Sequence, residues 1–350
     1  MDDKIKVSDY LADYLASIGV EYVHLIFGGG AMTIQDSLCK HPKIKYIAYH
    51  SEAGASYAAF GYSKYTNRIN VVAPTTGIAT INACSGLISA YQDSTPVLFI
   101  SGDVPIKQTS YYQKKYKNIN LRQLGIQEFN TIDTVKSMTK YSVFLEKAED
   151  IAYEIEKCVY ECLNGRPGPC WINIPSDIAA SLINPNELVH FKPNETSTQQ
   201  FGEDDLLKEN IELIKKDLVF FQRPLVLAGN GVHCSNTRPQ LKQFIEKYQL
   251  PLVATFLGVD FVNYDNPLNI GRIGIKGNRA ANFALQNCNY LLILGASLTI
   301  PHVGYLLDKF APKAKKVAID VDNEVHKKDT IKLDNIINCN LKDFFNYVNK

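Results

Sequence analysis

Short runs of β-branched and aromatic residues alternate with longer amphipathic or small-residue segments along nearly the whole chain. The alternation starts afresh after a polar stretch at residues 184–202. This rhythm constrains the fold most, because strands linked by helices pair in parallel and need helices covering both faces. In the first half, strands are expected at 22–26, 44–49, 69–73, 97–101 and 170–174. Helices are expected at 52–65, 79–91 and 148–163, after a first helix capped by Ser8. That helix carries Leu11, Tyr14, Leu15 and Ile18 on one stripe and is stopped by Gly19. Residues 105–135 read as less regular. In the second half, helices are expected at 204–217, 238–248, 278–286 and 341–348, and strands at 225–228, 252–255, 291–294 and 316–319.

Pro185, Pro193, Ser197 and Gln199-Gln200 give residues 184–202 the chemistry of a linker. Two domains follow, 1–183 and 203–350, which suits a chain of 350 residues, longer than one hydrophobic core usually spans. The expected class is α/β, with two open, doubly wound, mostly parallel sheets. Ligands of such sheets sit beyond the carboxyl ends of the strands.

Composition narrows the function classes. A net charge of +1 argues against a general nucleic-acid or anionic-membrane binder. No apolar stretch is long enough to span a bilayer, and the polar start Met1-Asp2-Asp3-Lys4 is unlike a signal peptide. The eight cysteines show no Cys-x-x-Cys pair, and Cys158 with Cys162 lacks a second ligand pair. Buried thiols of a cytoplasmic protein, with no metal site, are the expectation.

Several short segments carry chemistry. Glu52 opens a helix whose next turns are Ala53, Gly54, Ala55, Ala58 and Ala59. A glutamate at a helix start is commonly a surface charge favoured by the helix dipole. Small neighbours let this helix pack closely, as a buried site requires. His50 could add a second polar group or simply end a strand. Gly28 and Gly29 suit close backbone approach or a strand-to-helix turn. Thr75-Thr76-Gly77 precedes another helix, which Thr76 could cap. In the second half, Gly271, Gly274 and Gly277 space like a phosphate-cradling loop before a helix, a weak signal alone. Asp320 and Asp322 at a strand end could meet a ribose hydroxyl or merely end the strand.

In order and spacing, these segments resemble thiamine-diphosphate-dependent enzymes of the acetolactate synthase-like family. The carriers are Gly19-Val20-Glu21-Tyr22-Val23 with Gly28-Gly29 and Asp36, then His50-Ser51-Glu52-Ala53-Gly54-Ala55, and Thr75-Thr76-Gly77 through Asn82. Ala90 through Pro96, Gln127-Glu128 and Ile174-Pro175-Ser176-Asp177 continue the first domain. Pro224 through Gly231 with Gly229, Gly271 through Asn282, and Ile319-Asp320-Val321-Asp322 match the family's central domain. The resemblance covers nearly the whole chain.

The resemblance implies a pyrimidine-binding domain in which a glutamate hydrogen-bonds N1′ of the cofactor's aminopyrimidine, so that the 4′-nitrogen can remove the C2 proton. Glu52 takes that role, and it should be a buried carboxyl group tuned by its surroundings. Gly28, Gly29, Thr76, Gly77, Asn82 and Gln127 would line the cofactor. The chain departs from the pattern at Phe27, where a proline is usual, at Leu25, where a glycine is usual, and at Ile78-Ala79, where Pro-Gly is usual. Substrate identity is therefore open beyond a 2-oxo acid such as pyruvate. In the central domain, acetolactate synthases bind FAD in a structural role whereas many relatives bind nothing. FAD or another nucleotide is thus a candidate ligand for Gly229, Gly271, Gly274, Gly277 and Asp320.

The family anchors the diphosphate through magnesium in a third domain marked by Gly-Asp-Gly, which does not occur in this sequence. The expectation is a fragment of a longer carboligase or decarboxylase (a transferase or lyase), inactive alone. A subunit whose partner supplies that domain is the second option. A non-catalytic nucleotide-binding or scaffolding subunit is the third. The split site implies pairing of chains, as a homodimer or homotetramer.

Overall fold

The computed structural model describes residues 4–193 and 204–349. The chain divides into two compact units, Met1–Asn194 and Glu195–Lys350. Part of the linker expected at 184–202, from residue 194 onward, lies outside the described residues.

The first unit contains, in chain order, β1 (Ile5–Lys6), α1 (Val7–Ser17), β2 (Tyr22–Leu25), α2 (Met32–Lys40), β3 (Lys45–Ala48), α3 (Glu52–Thr66), β4 (Asn70–Ala73) and α4 (Ile78–Gln92). It continues with β5 (Val97–Asp103), α5 (Ser110–Lys117), α6 (Thr131–Val135), β6 (Tyr141–Phe144), α7 (Ile151–Leu163), β7 (Cys170–Pro175), α8 (Ser176–Ala180) and β8 (Leu182–Ile183). Six strands form one parallel sheet in the order β3-β2-β4-β5-β7-β6. The short β1 and β8 pair antiparallel, Ile5 opposite Ile183.

Period-two alternation decides which face each residue serves. Val71, Leu98, Ile100 and Ile172 join the core beneath α1, α2 and α7. Their neighbours Val72, Phe99 and Trp171 point the other way, against Ala55 and Ala59 of α3 and Ala83 and Leu87 of α4. Phe99 and Trp171 stack at 4.8 Å between ring centroids. Gly86 packs where any Cβ would strike Ser56, so α3 and α4 lie in close contact.

The second unit contains α9 (Asp204–Phe220), β9 (Pro224–Ala228), α10 (Gly231–Cys234), α11 (Arg238–Tyr248), β10 (Leu252–Ala254) and β11 (Asn269–Arg272). Then come α12 (Arg279–Asn287), β12 (Tyr290–Leu294), α13 (Ile300–Val303), β13 (Lys315–Asp320), β14 (Asn335–Asn338) and α14 (Leu341–Val348). Its six strands are parallel in the order β11-β10-β9-β12-β13-β14. Separate apolar clusters cover the two faces of this sheet. The α/β, doubly wound class expected from the sequence is the one observed.

Ser8 does not cap α1. The helix starts at Val7, and Ser8 is buried within it, accepting a hydrogen bond from Ser37 at 2.9 Å. The Val7 N–H donates to the Ser181 carbonyl at 3.0 Å, so the end of the first unit supplies the partner that a cap would have supplied.

Candidate cofactor site

In the first sheet the chain leaves β2 for β3 on one side and later adds β4 on the other, so the strand order reverses between β2 and β4. A doubly wound sheet opens its ligand crevice at such a switch point. Two turns meet there, residues 26–31 after β2 and residues 74–77 after β4. A Cβ on Gly28 would collide with the Thr75 side chain, and one on Gly30 with Thr76 Oγ1. Gly29 has nothing near its missing side chain.

Gln35, on α2, ties these turns together. Its Nε2 donates to the Ile26 carbonyl at 2.8 Å and to the Ala73 carbonyl at 3.1 Å, and its Oε1 accepts the Gly28 N–H at 3.1 Å. The side chain is buried, and one amide satisfies three backbone groups of two loops. Sequence reasoning missed Gln35. Its only signal is a glutamine at a position the helical pattern would fill with an apolar residue.

Gly77 has φ +59, a region that favours glycine, and a Cβ there would run into the Gln127 carbonyl oxygen. Gln127, itself at φ +59, is exposed, and its backbone packs on the turn. Its neighbour Glu128 is the buried member of the pair. Glu128 accepts from Ser110 Oγ at 2.9 Å and from the Leu124 N–H at 2.7 Å, pinning the segment that carries Gln127. Thr76 is buried and its hydroxyl has no hydrogen-bond partner. It does not cap α4, whose N-cap residue is Gly77.

Glu52 is the first residue of α3, and Asn82 lies one turn into α4. Asn82 Nδ2 donates to Glu52 Oε2 at 2.6 Å. This hydrogen bond fixes the carboxylate and leaves Oε1 without a hydrogen-bond partner among the described residues. Glu52 is half-buried rather than buried, because the face of α3 and α4 around it is open. Tyr57 of α3 and Ile78 and Tyr91 of α4 are also exposed. His50 is exposed in the bend before α3.

Behind the turns, at the end of β5, Asp103 is buried. Asn173 Nδ2 donates to it at 2.7 Å and the Val104 N–H at 2.8 Å. Burial pushes its pKa up to about 6, against the lowering effect of those two hydrogen bonds.

The second-unit candidates form a separate group. Gly229 follows β9, Gly271 lies within β11, Gly274 and Gly277 stand before α12, and Asp320 ends β13. Asp320 Oδ2 is 3.3 Å from His326 Nε2, and its Oδ1 accepts the Asp322 N–H at 3.1 Å. A cavity of about 560 Å³ in this unit is bordered by Arg238, Lys242 and Phe261. It is not lined by any of these candidates, and Arg238 there already holds Asp260 and the Phe261 carbonyl. Among the described residues no cluster of three or more His, Cys, Asp or Glu side chains could hold a metal ion. No helix among them is long and apolar enough to cross a membrane.

A carboxylate held by an amide lies at the carboxyl edge of a doubly wound sheet, beside glycine turns at its switch point, which is where α/β proteins of this class place their ligands. Residues 5–133 match the N-terminal TPP binding domain of thiamine pyrophosphate enzymes, and residues 208–342 match their central domain. The large subunit of acetolactate synthase from Lactococcus lactis is 28% identical over 294 residues, covering 83% of this chain and 48% of that protein. Chloroplastic acetolactate synthase from Arabidopsis thaliana is 29% identical over 335 residues, covering 94% and 47%. The Haemophilus influenzae large subunit is 27% identical over 321 residues, covering 91% and 53%. The chain belongs to the thiamine-diphosphate-dependent, acetolactate synthase-like enzyme family, and it spans about half the length of the curated relatives it matches.

Proposed function

We propose that this chain supplies the pyrimidine-activating half of a thiamine-diphosphate-dependent carboligase or decarboxylase acting on a 2-oxo acid such as pyruvate. The observation that carries the reading is the Glu52–Asn82 pair, with one carboxylate oxygen held and the other without a partner among the described residues, at the strand ends beside the glycine turns. Thiamine diphosphate, when bound, supplies a thiazolium that accepts the electron pair released on decarboxylation. Glu52 Oε1 exchanges a proton or a hydrogen bond with a ring nitrogen of the aminopyrimidine, while Asn82 keeps the carboxylate from rotating away. Gly29 offers room at the turn after β2, and buried Thr76 lies behind it against Gly30. Gly77 lets the Gln127 segment close over the turn.

Glu52 works best in a dry site, and the apolar side chains that α3 and α4 expose, Tyr57, Ile78 and Tyr91, favour a protein cover. We assign that cover to a second chain, in a homodimer or homotetramer. Magnesium and the diphosphate are, on this reading, held by residues outside this chain. Eight free cysteines fit a reducing compartment such as the cytoplasm.

The test is Glu52→Gln in the catalytically active assembly. Turnover should fall at least about 100-fold, the scale on which a positioned acid–base group contributes. Thiamine diphosphate should remain bound by calorimetry. Near-normal turnover would sink the assignment.

A further inference from the structure

The second sheet has the strand order of a dinucleotide-binding fold, and its strand order reverses between β9 and β12. A flavin or nicotinamide dinucleotide would need three things there: unspent backbone N–H groups for the diphosphate, glycines that leave space, and a free carboxylate for a ribose hydroxyl. From how those groups are used, we infer that the second unit binds neither, and that its glycine loops are closed on the chain itself.

The two turns at the switch point occupy one another. A Cβ on Gly229 or Gly231 would strike the backbone of Gly295 or Ala296, so the glycines make room for the chain's own turn. The Gly229 N–H donates to the Leu294 carbonyl and the Gly231 N–H to the Gly295 carbonyl, both at 2.9 Å. Neither residues 229–236 nor residues 295–304 contain a lysine or arginine to meet a diphosphate. The ammonium of Lys328, from the loop after β13, is spent on the carbonyls of Ser297 and Val325.

The glycine loop before α12 is equally committed. The N–H groups of Ile273, Gly274, Ile275, Gly277 and Asn278 donate to Ala254 O, Asn282 Oδ1, Pro301 O, Gly274 O and Arg272 O, at 2.9–3.0 Å. Asn282 brackets Gly274 from both sides, its Nδ2 donating to the Gly274 carbonyl at 3.1 Å. Asn278 caps α12 through its own side chain. A phosphate cradle needs such N–H groups pointing outward, and five of the six from Ile273 to Asn278 are spent inward. Asp320 is engaged by the Asp322 N–H and faces the buried His326, leaving no free pair of oxygens for a ribose.

The experiment uses the chain as it stands, expressed and purified without added flavin, then titrated with FAD and with NAD⁺. The visible spectrum should show no flavin. Calorimetry should register no saturable heat, and the unfolding temperature should move by less than about 1 °C at ligand excess. Flavin co-purifying near one per chain, or a saturable shift with either dinucleotide, overturns the inference. Asn282→Ala provides the second arm. It should lower the unfolding midpoint and bring no flavin affinity. An unchanged midpoint would show that the loop does not depend on its internal donors, which also overturns it. Thiamine diphosphate enters neither readout, so this result stands or falls apart from the Glu52 assignment.

Discussion

Both units carry glycine-rich turns at the point where their strand order reverses, and in both the chain's own atoms fill most of them, as at Gly28, Gly30 and Gly77 in the first unit; the two sets differ in what they leave open. In the first unit, Gly29 faces open space, Thr76 keeps an unspent hydroxyl, and Glu52 keeps an unpartnered oxygen. In the second, Gly229, Gly231 and Gly274 are filled by neighbouring backbone and the loop's N–H groups are consumed. A glycine in a sequence says that something comes close to the backbone. It does not say whether that is a ligand or the next turn of the same chain.

The contrast can be broken by mutation. The largest effect should come from Gln35→Leu. It strands the Ile26 and Ala73 carbonyls and the Gly28 N–H at about 1–3 kcal/mol each. Urea unfolding should show a loss of about 3 kcal/mol or more, and a loss below about 1 kcal/mol would mean that water replaces the amide. Gly229→Ala should cost on the order of 2 kcal/mol, because its methyl group meets the Gly295 carbonyl. A silent Gly229→Ala would erase the difference between the units.

Acid unfolding gives a third test. Burial lowers the His24 pKa from 6.5 to about 4. Between those values the unfolded chain binds the proton and the folded one does not, so this contribution to stability is lost as pH falls from about 6.5 to 4. Asp103 runs the other way. Its raised pKa means the folded state takes up a proton first, adding stability as pH falls through about 6. In a His24→Gln variant, the loss of unfolding free energy between pH 6.5 and 4 should shrink by on the order of 2 kcal/mol relative to wild type. Equal slopes in the two proteins would show that His24 charges without cost.

Gly29→Ala should have the smallest effect on the fold, within about 0.5 kcal/mol, since nothing lies near the added methyl. On the proposed function it should nonetheless weaken thiamine diphosphate binding in the active assembly. Unchanged binding in calorimetry would remove Gly29 from the cofactor's wall.

Most of the architecture was legible because both sheets are buried on both faces and their central strands are mostly apolar, β9 and β12 without a break. The edges were not. The strand β14 reads Asn-Ile-Ile-Asn and buries only Ile337, so it gives no alternation to detect. The strand β11 contains Gly271, which read as part of a phosphate-cradling loop. Residues 105–135 looked irregular because their order comes from long-range anchors such as Glu128 rather than from a local period. Ser8 failed as a cap because its competitor, the Ser181 carbonyl, lies more than a hundred residues away in sequence. The sequence reading singles out both partners of the Glu52–Asn82 hydrogen bond, where residue type and helix context coincide. It misses Gln35, whose role exists only once two distant loops are folded side by side.

The antiparallel ribbon of β1 and β8 places Ile5 opposite Ile183, so a strand near the start of the first unit pairs with one near its end. Such a domain is a closed cassette. A short peptide joining its two ends, with new termini opened in an exposed loop such as the one after Lys117, would give a circular permutant with the same sheet. The cofactor-facing half of this chain could then be moved between protein contexts as one piece.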